Sequence, residues 1–200
     1  MNSTTSSPRA RRVMAGLLPA AAATMMLAAA AMPSQAAARG DSRNLEVVNK
    51  ADGGRLSAWD DNAAPNVWAG TIRQPNSDYE QRTSTQWALQ PQGDGTWVLR
   101  NEKNTTVCLQ PSAAPAADVR IVLQSCDAGN SLQRWKIVRE KTDLNGAAGD
   151  TGWWSLRPAQ NTALAAAPST VGGAYSDIKL FRATNSSDRL WHAQPPGKSW

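Results

Sequence analysis

Short segments of this chain return at a spacing of roughly fifty residues, and that repetition limits the fold more than any other feature. Trp97-Val98-Leu99-Arg100 comes back as Trp154-Ser155-Leu156-Arg157, Asn104-Thr105 as Asn161-Thr162, and Pro111-Ser112 as Pro168-Ser169. A fainter first copy has Leu45 and Val47 in place of Trp97 and Leu99, and Asn66-Val67 in place of Asp118-Val119. Each copy closes on a tryptophan: Gln86-Trp87-Ala88, Arg134-Trp135-Lys136 and Leu190-Trp191-His192. A unit of this length cannot bury its own apolar faces, so the copies must share one core.

The first residues are a different material. Arg9, Arg11 and Arg12 precede an apolar run from Val13 to Met32, and small residues around Ala36 and Ala38 offer cleavage sites. This pattern predicts a bacterial-type secretory leader over residues 1–38, removed in an exported protein. The formal net charge of +5 includes those three arginines and no leader acid, so residues 39–200 are close to neutral. The basic balance is therefore no argument for nucleic-acid binding. Nothing after the leader is apolar and long enough to span a bilayer as a helix, so the mature chain is expected to have no integral membrane segment. About 160 residues remain, enough for one domain with a real core.

Alternation within each copy reads as strand. Trp97 and Leu99, Trp154 and Leu156, and Leu45 and Val47 take one parity; Val98, Arg100, Ser155, Arg157 and Glu46 take the other. A second strand sets Val67/Ala69, Val119/Ile121 and Ile178/Leu180 inward, with Trp68, Arg120 and Lys179 outward. Gly and Pro clusters punctuate these runs, and no helical stripe follows the leader. The expected class is all-β. Cys108 and Cys126 both lie in the second copy of an exported chain, which favours one disulfide, worth roughly 3 kcal/mol in the chain-entropy model. A metal pair or a catalytic thiol would lack the further ligands or upstream histidine it needs.

Three copies of about four strands, each closed by a Trp, resemble a β-trefoil of the ricin B type across nearly all of residues 41–196. The middle copy carries the most specific elements: Cys108-Leu109, then Val119-Arg120-Ile121-Val122-Leu123, Cys126, and Gln133-Arg134-Trp135, similar to the family's Gln-x-Trp signature. The resemblance implies one trefoil domain over 39–196, with repeats of about 41–92, 93–147 and 148–196, and a tail at 197–200. Within that family the chain looks most like the A and C binding subunits of cytolethal distending toxins. That kinship rests on Asn66-Val67-Trp68-Ala69, Cys108-Leu109-Gln110, and Asp188-Arg189-Leu190-Trp191 followed by Pro195-Pro196.

The repeat separates core tryptophans from candidate binding ones. Trp87, Trp135 and Trp191 are equivalent and should be core pillars; Trp97 and Trp154 share the inward parity. Trp68 stands where the other copies have Arg120 and Lys179, which need water, so it should be exposed. Trp59 replaces Pro111 and Pro168 in a loop, and Trp153 replaces Thr96 on an outward face. Each exposed Trp forgoes about 2 kcal/mol of burial, so several together suggest a contact surface. Trp59, Asp60, Asp61, Asn62 and Trp68 provide aromatic faces, carboxylates and an amide within ten residues, the groups that sugar recognition requires. The competing reading packs Trp59 beneath its own loop and spends the acids on turn hydrogen bonds.

Against a ricin-like galactose site, Gln110 stands where the family has Asp after its Cys-Leu pair, and Gln124 where it has a stacking aromatic. The third copy offers only Ala165-Ala166-Ala167, expected in a loop. Beyond Trp68 the toxin subunits carry a dense aromatic patch, where this chain has Gly70, Thr71 and Ile72. The second and third copies therefore read as scaffold. Catalysis has little to work with: His192 is the sole histidine, and adjacent Asp60 and Asp61 make a poor acid pair for glycoside cleavage. No metal or cofactor is expected. The first expectation is a secreted lectin that binds a glycan or glycoconjugate, and by resemblance a targeting subunit whose enzymatic partner is a separate chain. A protein-binding trefoil, such as a secreted protease inhibitor, is the alternative, and a small hydrolase a distant third.

Overall fold

The computed structural model describes residues 42–73, 83–140 and 152–197. The leader expected over 1–38 lies outside them. Among the described residues there are twelve strands, four to a copy. The first copy holds β1 (Ser42–Asn49), β2 (Arg55–Ala58), β3 (Ala69–Ile72) and β4 (Gln86–Pro91). The second holds β5 (Trp97–Asn101), β6 (Val107–Pro111), β7 (Ile121–Ser125) and β8 (Trp135–Arg139); the third holds β9 (Trp154–Pro158), β10 (Leu164–Pro168), β11 (Tyr175–Arg182) and β12 (Trp191–Gln194). A one-turn 3-10 helix precedes the last strand of every copy, at Thr83–Thr85, Ser131–Gln133 and Ser187–Arg189.

Six of these strands close on themselves. β1 pairs with β12, β12 with β9, β9 with β8, β8 with β5, β5 with β4, and β4 with β1, all antiparallel. Closure removes the barrel's open edges. The remaining strands form three hairpins, β2–β3, β6–β7 and β10–β11. The described residues are thus all-β and form a β-trefoil, as the repeat suggested.

The repeated tryptophans hold the interior. Trp87, Trp135 and Trp191 are at most 1% exposed. Each donates its indole Nε1–H over 2.9 Å to a backbone carbonyl of its own hairpin: Leu56, Leu109 and Ala166, respectively. A large ring can be buried completely only if its one polar group finds such a partner. Trp154 joins the same cluster and Trp97 packs half-buried against it. Cys108 and Cys126 form the disulfide, tying the start of the β6–β7 hairpin to the residue beyond its end.

Three details depart from the alternation. Ala165, Ala166 and Ala167 are not in a loop but run through the middle of β10, fully buried. Their small side chains fill the third copy's share of the core, which is a packing role, so the absence of polar groups there says nothing about a pocket. Glu46 and Ser155, on the outward parity, are also buried. The Glu46 carboxylate accepts from Arg55 Nε at 3.0 Å and from Gln194 Nε2 at 3.4 Å, so partners brought by neighbouring strands make its burial tolerable.

Candidate functional site

The first copy leaves β2 through a one-turn 3-10 helix, Trp59–Asp61. Asp60 and Asp61 both sit at a φ of 54°, in the left-handed region that Asp tolerates better than most residues. The turn is pinned by Trp59 N–H donating to the Trp68 carbonyl at 2.8 Å. Asn66, also left-handed at φ 66°, redirects the chain into β3, and its N–H donates to the Leu123 carbonyl at 2.8 Å. Trp59, Asp60, Asn62, Asn66, Val67 and Trp68 together line an open cavity of about 370 Å³.

Trp59 and Trp68 are 38% and 41% exposed, with ring centroids 6.3 Å apart and planes inclined at 62°. Trp68 therefore stands outward, as its alignment with Arg120 and Lys179 implied. Arg120, one of those equivalents, meets Trp68 directly. The Arg120 guanidinium lies 3.8 Å from the Trp68 ring centroid, and its Nε donates to Asp177 at 3.2 Å. The indole of the first copy is thus covered by Arg120 of the second, which Asp177 of the third holds in place. Trp59 is not beneath its own loop. It lies over Gly70 of β3, where a Cβ would come within 3.0 Å of its ring.

The two acids part company. Asp60 is exposed and lines the cavity. Asp61 turns instead to Lys103 in the second copy and forms an ion pair with it. Burial raises the Asp61 carboxyl, but hydrogen bonds from Lys103 and Ser84, together with the charge of Lys103, outweigh it and hold its pKa below the ordinary value. Among the residues singled out from sequence, Trp59, Asp60, Asn62 and Trp68 share the cavity while Asp61 serves as a tie between copies. Sequence reasoning missed Asn66 and also Tyr175 of β11, which is 43% exposed with its ring centroid 6.3 Å from Trp59. No local signal marks Tyr175, because it reaches the first copy only through β11–β3 pairing, with Tyr175 opposite Ile72.

The positions of a family sugar site in the second copy are occupied from within. Gln110 is buried, its Oε1 accepting from Gln133 Nε2 at 3.0 Å and Asn130 Nδ2 at 3.1 Å. Gln133 of the signature triplet also donates to the Ser125 carbonyl and accepts from Asp127 N–H. Gln124 donates to Asn66 Oδ1 at 2.8 Å. His192 is held against Trp153, with centroids 5.6 Å apart, and its Nδ1 lies 3.1 Å from the Gly152 carbonyl. No group of three metal-ligating side chains occurs among the described residues. No helix among them is long and apolar enough to cross a membrane.

Neither a protein-family model nor a curated protein matches the sequence. Solved structures do match. A designed three-fold symmetric protein, ThreeFoil, superposes with a TM-score of 0.60 at 15% identity, covering 74% of this chain and 96% of that one. The Macrolepiota procera ricin B-like lectin in complex with lactose gives 0.57 at 14%, covering 76% and 95%. A chain of the cytolethal distending toxin from Actinobacillus actinomycetemcomitans gives 0.59 at 14%, covering 78% and 94%. At such identities the likeness speaks for architecture alone, and it agrees with the barrel and hairpins described above: this chain has the ricin B-type β-trefoil fold, shared with lectins and with cytolethal distending toxin subunits.

Proposed function

We propose that this chain is a secreted carbohydrate-binding protein whose site lies on the first copy. The observation that carries the reading is a pair of exposed indoles, Trp59 and Trp68, flanking a cavity that also presents Asp60, Asn62 and Asn66. An indole face covers the apolar side of a sugar ring, and carboxylate and amide groups take its hydroxyls. Because Arg120 holds Trp68 from one side, the ring is ordered before a ligand arrives, which reduces the entropy lost on binding. The protein binds without catalysing: the sole histidine is engaged by Gly152 and Trp153, and Asp61 is paired with Lys103 while Asp60 lines the cavity, so the two acids do not act together.

A glycan array tests this. Trp68→Ala removes half of the aromatic pair and is expected to lower binding by tenfold or more, about 1.4 kcal/mol. Retained signal in that variant would move the site elsewhere. The likeness to a toxin chain supports a finer reading, in which this protein targets a separate enzymatic chain to glycosylated surfaces. A pull-down from the secreted fraction that recovers such a chain supports it, and recovery of this protein alone leaves a free-standing lectin.

A further inference from the structure

The exposed aromatics form a line, not a cluster. Trp68 immediately precedes β3, Gly70 lies in its middle, and Ile72 ends it with Tyr175 as its cross-strand partner. Four residues of extended chain span about 13 Å. Trp59 lies over Gly70, midway, with its ring centroid 6.3 Å from Trp68 on one side and 6.3 Å from Tyr175 on the other. The ridge is therefore longer than one pyranose ring, and its members come from two copies of the repeat. Charge narrows the ligand further. Asp60 is exposed in the cavity beside Trp59 and Trp68 and disfavours a carboxylated or sulfated ring, while the nearby Arg120 donates to Asp177.

We infer that the site takes a linear, neutral glycan of about three hexose rings, with Tyr175 as the platform for the last of them. This rests on the carbohydrate-binding reading and adds the ligand's length and charge. Tyr175 lies in the third copy, so the ligand crosses the seam between β3 and β11 and does not sit within a single repeat.

The test uses the strongest linear glycan series from the array, titrated calorimetrically as one to four units. Affinity should rise about tenfold from one unit to three, then level off at four. Tyr175→Ala should abolish the gain from the last ring and leave the shorter ligands within about twofold. Tyr175→Phe, which keeps the ring, should retain the gain. A flat series, or a Tyr175→Ala variant that weakens every length alike, overturns the inference while leaving a lectin in place. Tighter binding of a uronic or sulfated analogue overturns its neutral character. Absence of binding at any length removes the carbohydrate reading itself, and this inference with it.

Discussion

Asp61 shows what a single side chain does when two copies of a repeat meet. Its carboxylate pairs with Lys103, and burial of the group is outweighed by that ammonium together with hydrogen bonds from Ser84, so the folded pKa lies below the ordinary 3.8. The pair's contribution to stability is therefore complete above that value and is lost as pH falls through the lowered one. Both side chains are partly exposed, at 37% and 28%, so solvent screening limits the pair to about 1 kcal/mol or less. Lys103→Met should lower stability by that amount at neutral pH, and the difference should shrink towards zero in acid. Urea unfolding of both proteins across pH 2 to 7 checks this; a difference that stays constant with pH would assign the effect to packing. Asp60 and Asp61 were indistinguishable in sequence. Only the left-handed turn at both residues sends one to the cavity and the other to the second copy.

Among the elements, β3 matters most to the site because it carries a residue with no side chain at its centre. A Cβ on Gly70 would lie 2.9 Å from the Ser176 carbonyl and 3.0 Å from the Trp59 ring. Gly70→Ala should therefore destabilise the protein by about 1–3 kcal/mol through overpacking, with Trp59 displaced and glycan affinity reduced in parallel. Gly93→Ala, with nothing within 4 Å of the new methyl, is the matched control and should leave both unchanged. Thermal unfolding and the array read the two effects. Equal melting temperatures for the two variants would show that β3 and β11 can spread without loss. Gly70 was visible in the sequence only as a thinning of aromatics; its role as the bed of Trp59 depends on β11 pressing from the other side.

At the scale of the molecule, the copies are tied by a rotationally repeated device. Asn104 Nδ2 donates to the Ala63 carbonyl at 2.8 Å and Asn161 Nδ2 to the Pro115 carbonyl at 3.4 Å. The first copy has Asp52 at this position, and its Oδ2 accepts from Gly172 N–H at 3.1 Å. The second copy thus holds the first, the third holds the second, and the first holds the third. The change from amide to carboxylate matches the change of partner from carbonyl to N–H. The core follows the same symmetry. Replacing Trp87, Trp135 or Trp191 by Phe removes one buried hydrogen bond and leaves a void, at a cost of about 2–4 kcal/mol for each. The three variants should show similar falls in the urea midpoint at an unchanged slope. One variant with wild-type stability would show that its copy is not part of the common core.

What the sequence determined by itself is the part of the fold that repeats. Equivalent tryptophans, alternating apolar residues and paired cysteines each recur or fail to recur at set spacings, and a shared core accepts only residues that fit all copies. The same comparison singled out Trp59 and Trp68, because a residue that departs from its equivalents is released from that constraint. Tertiary structure decided the rest. Tyr175 joins the aromatic ridge, Arg120 orders Trp68, and Lys103 claims Asp61 through contacts between copies that lie far apart along the chain. Such contacts are set by barrel closure and strand register, which bring together side chains that no local pattern connects.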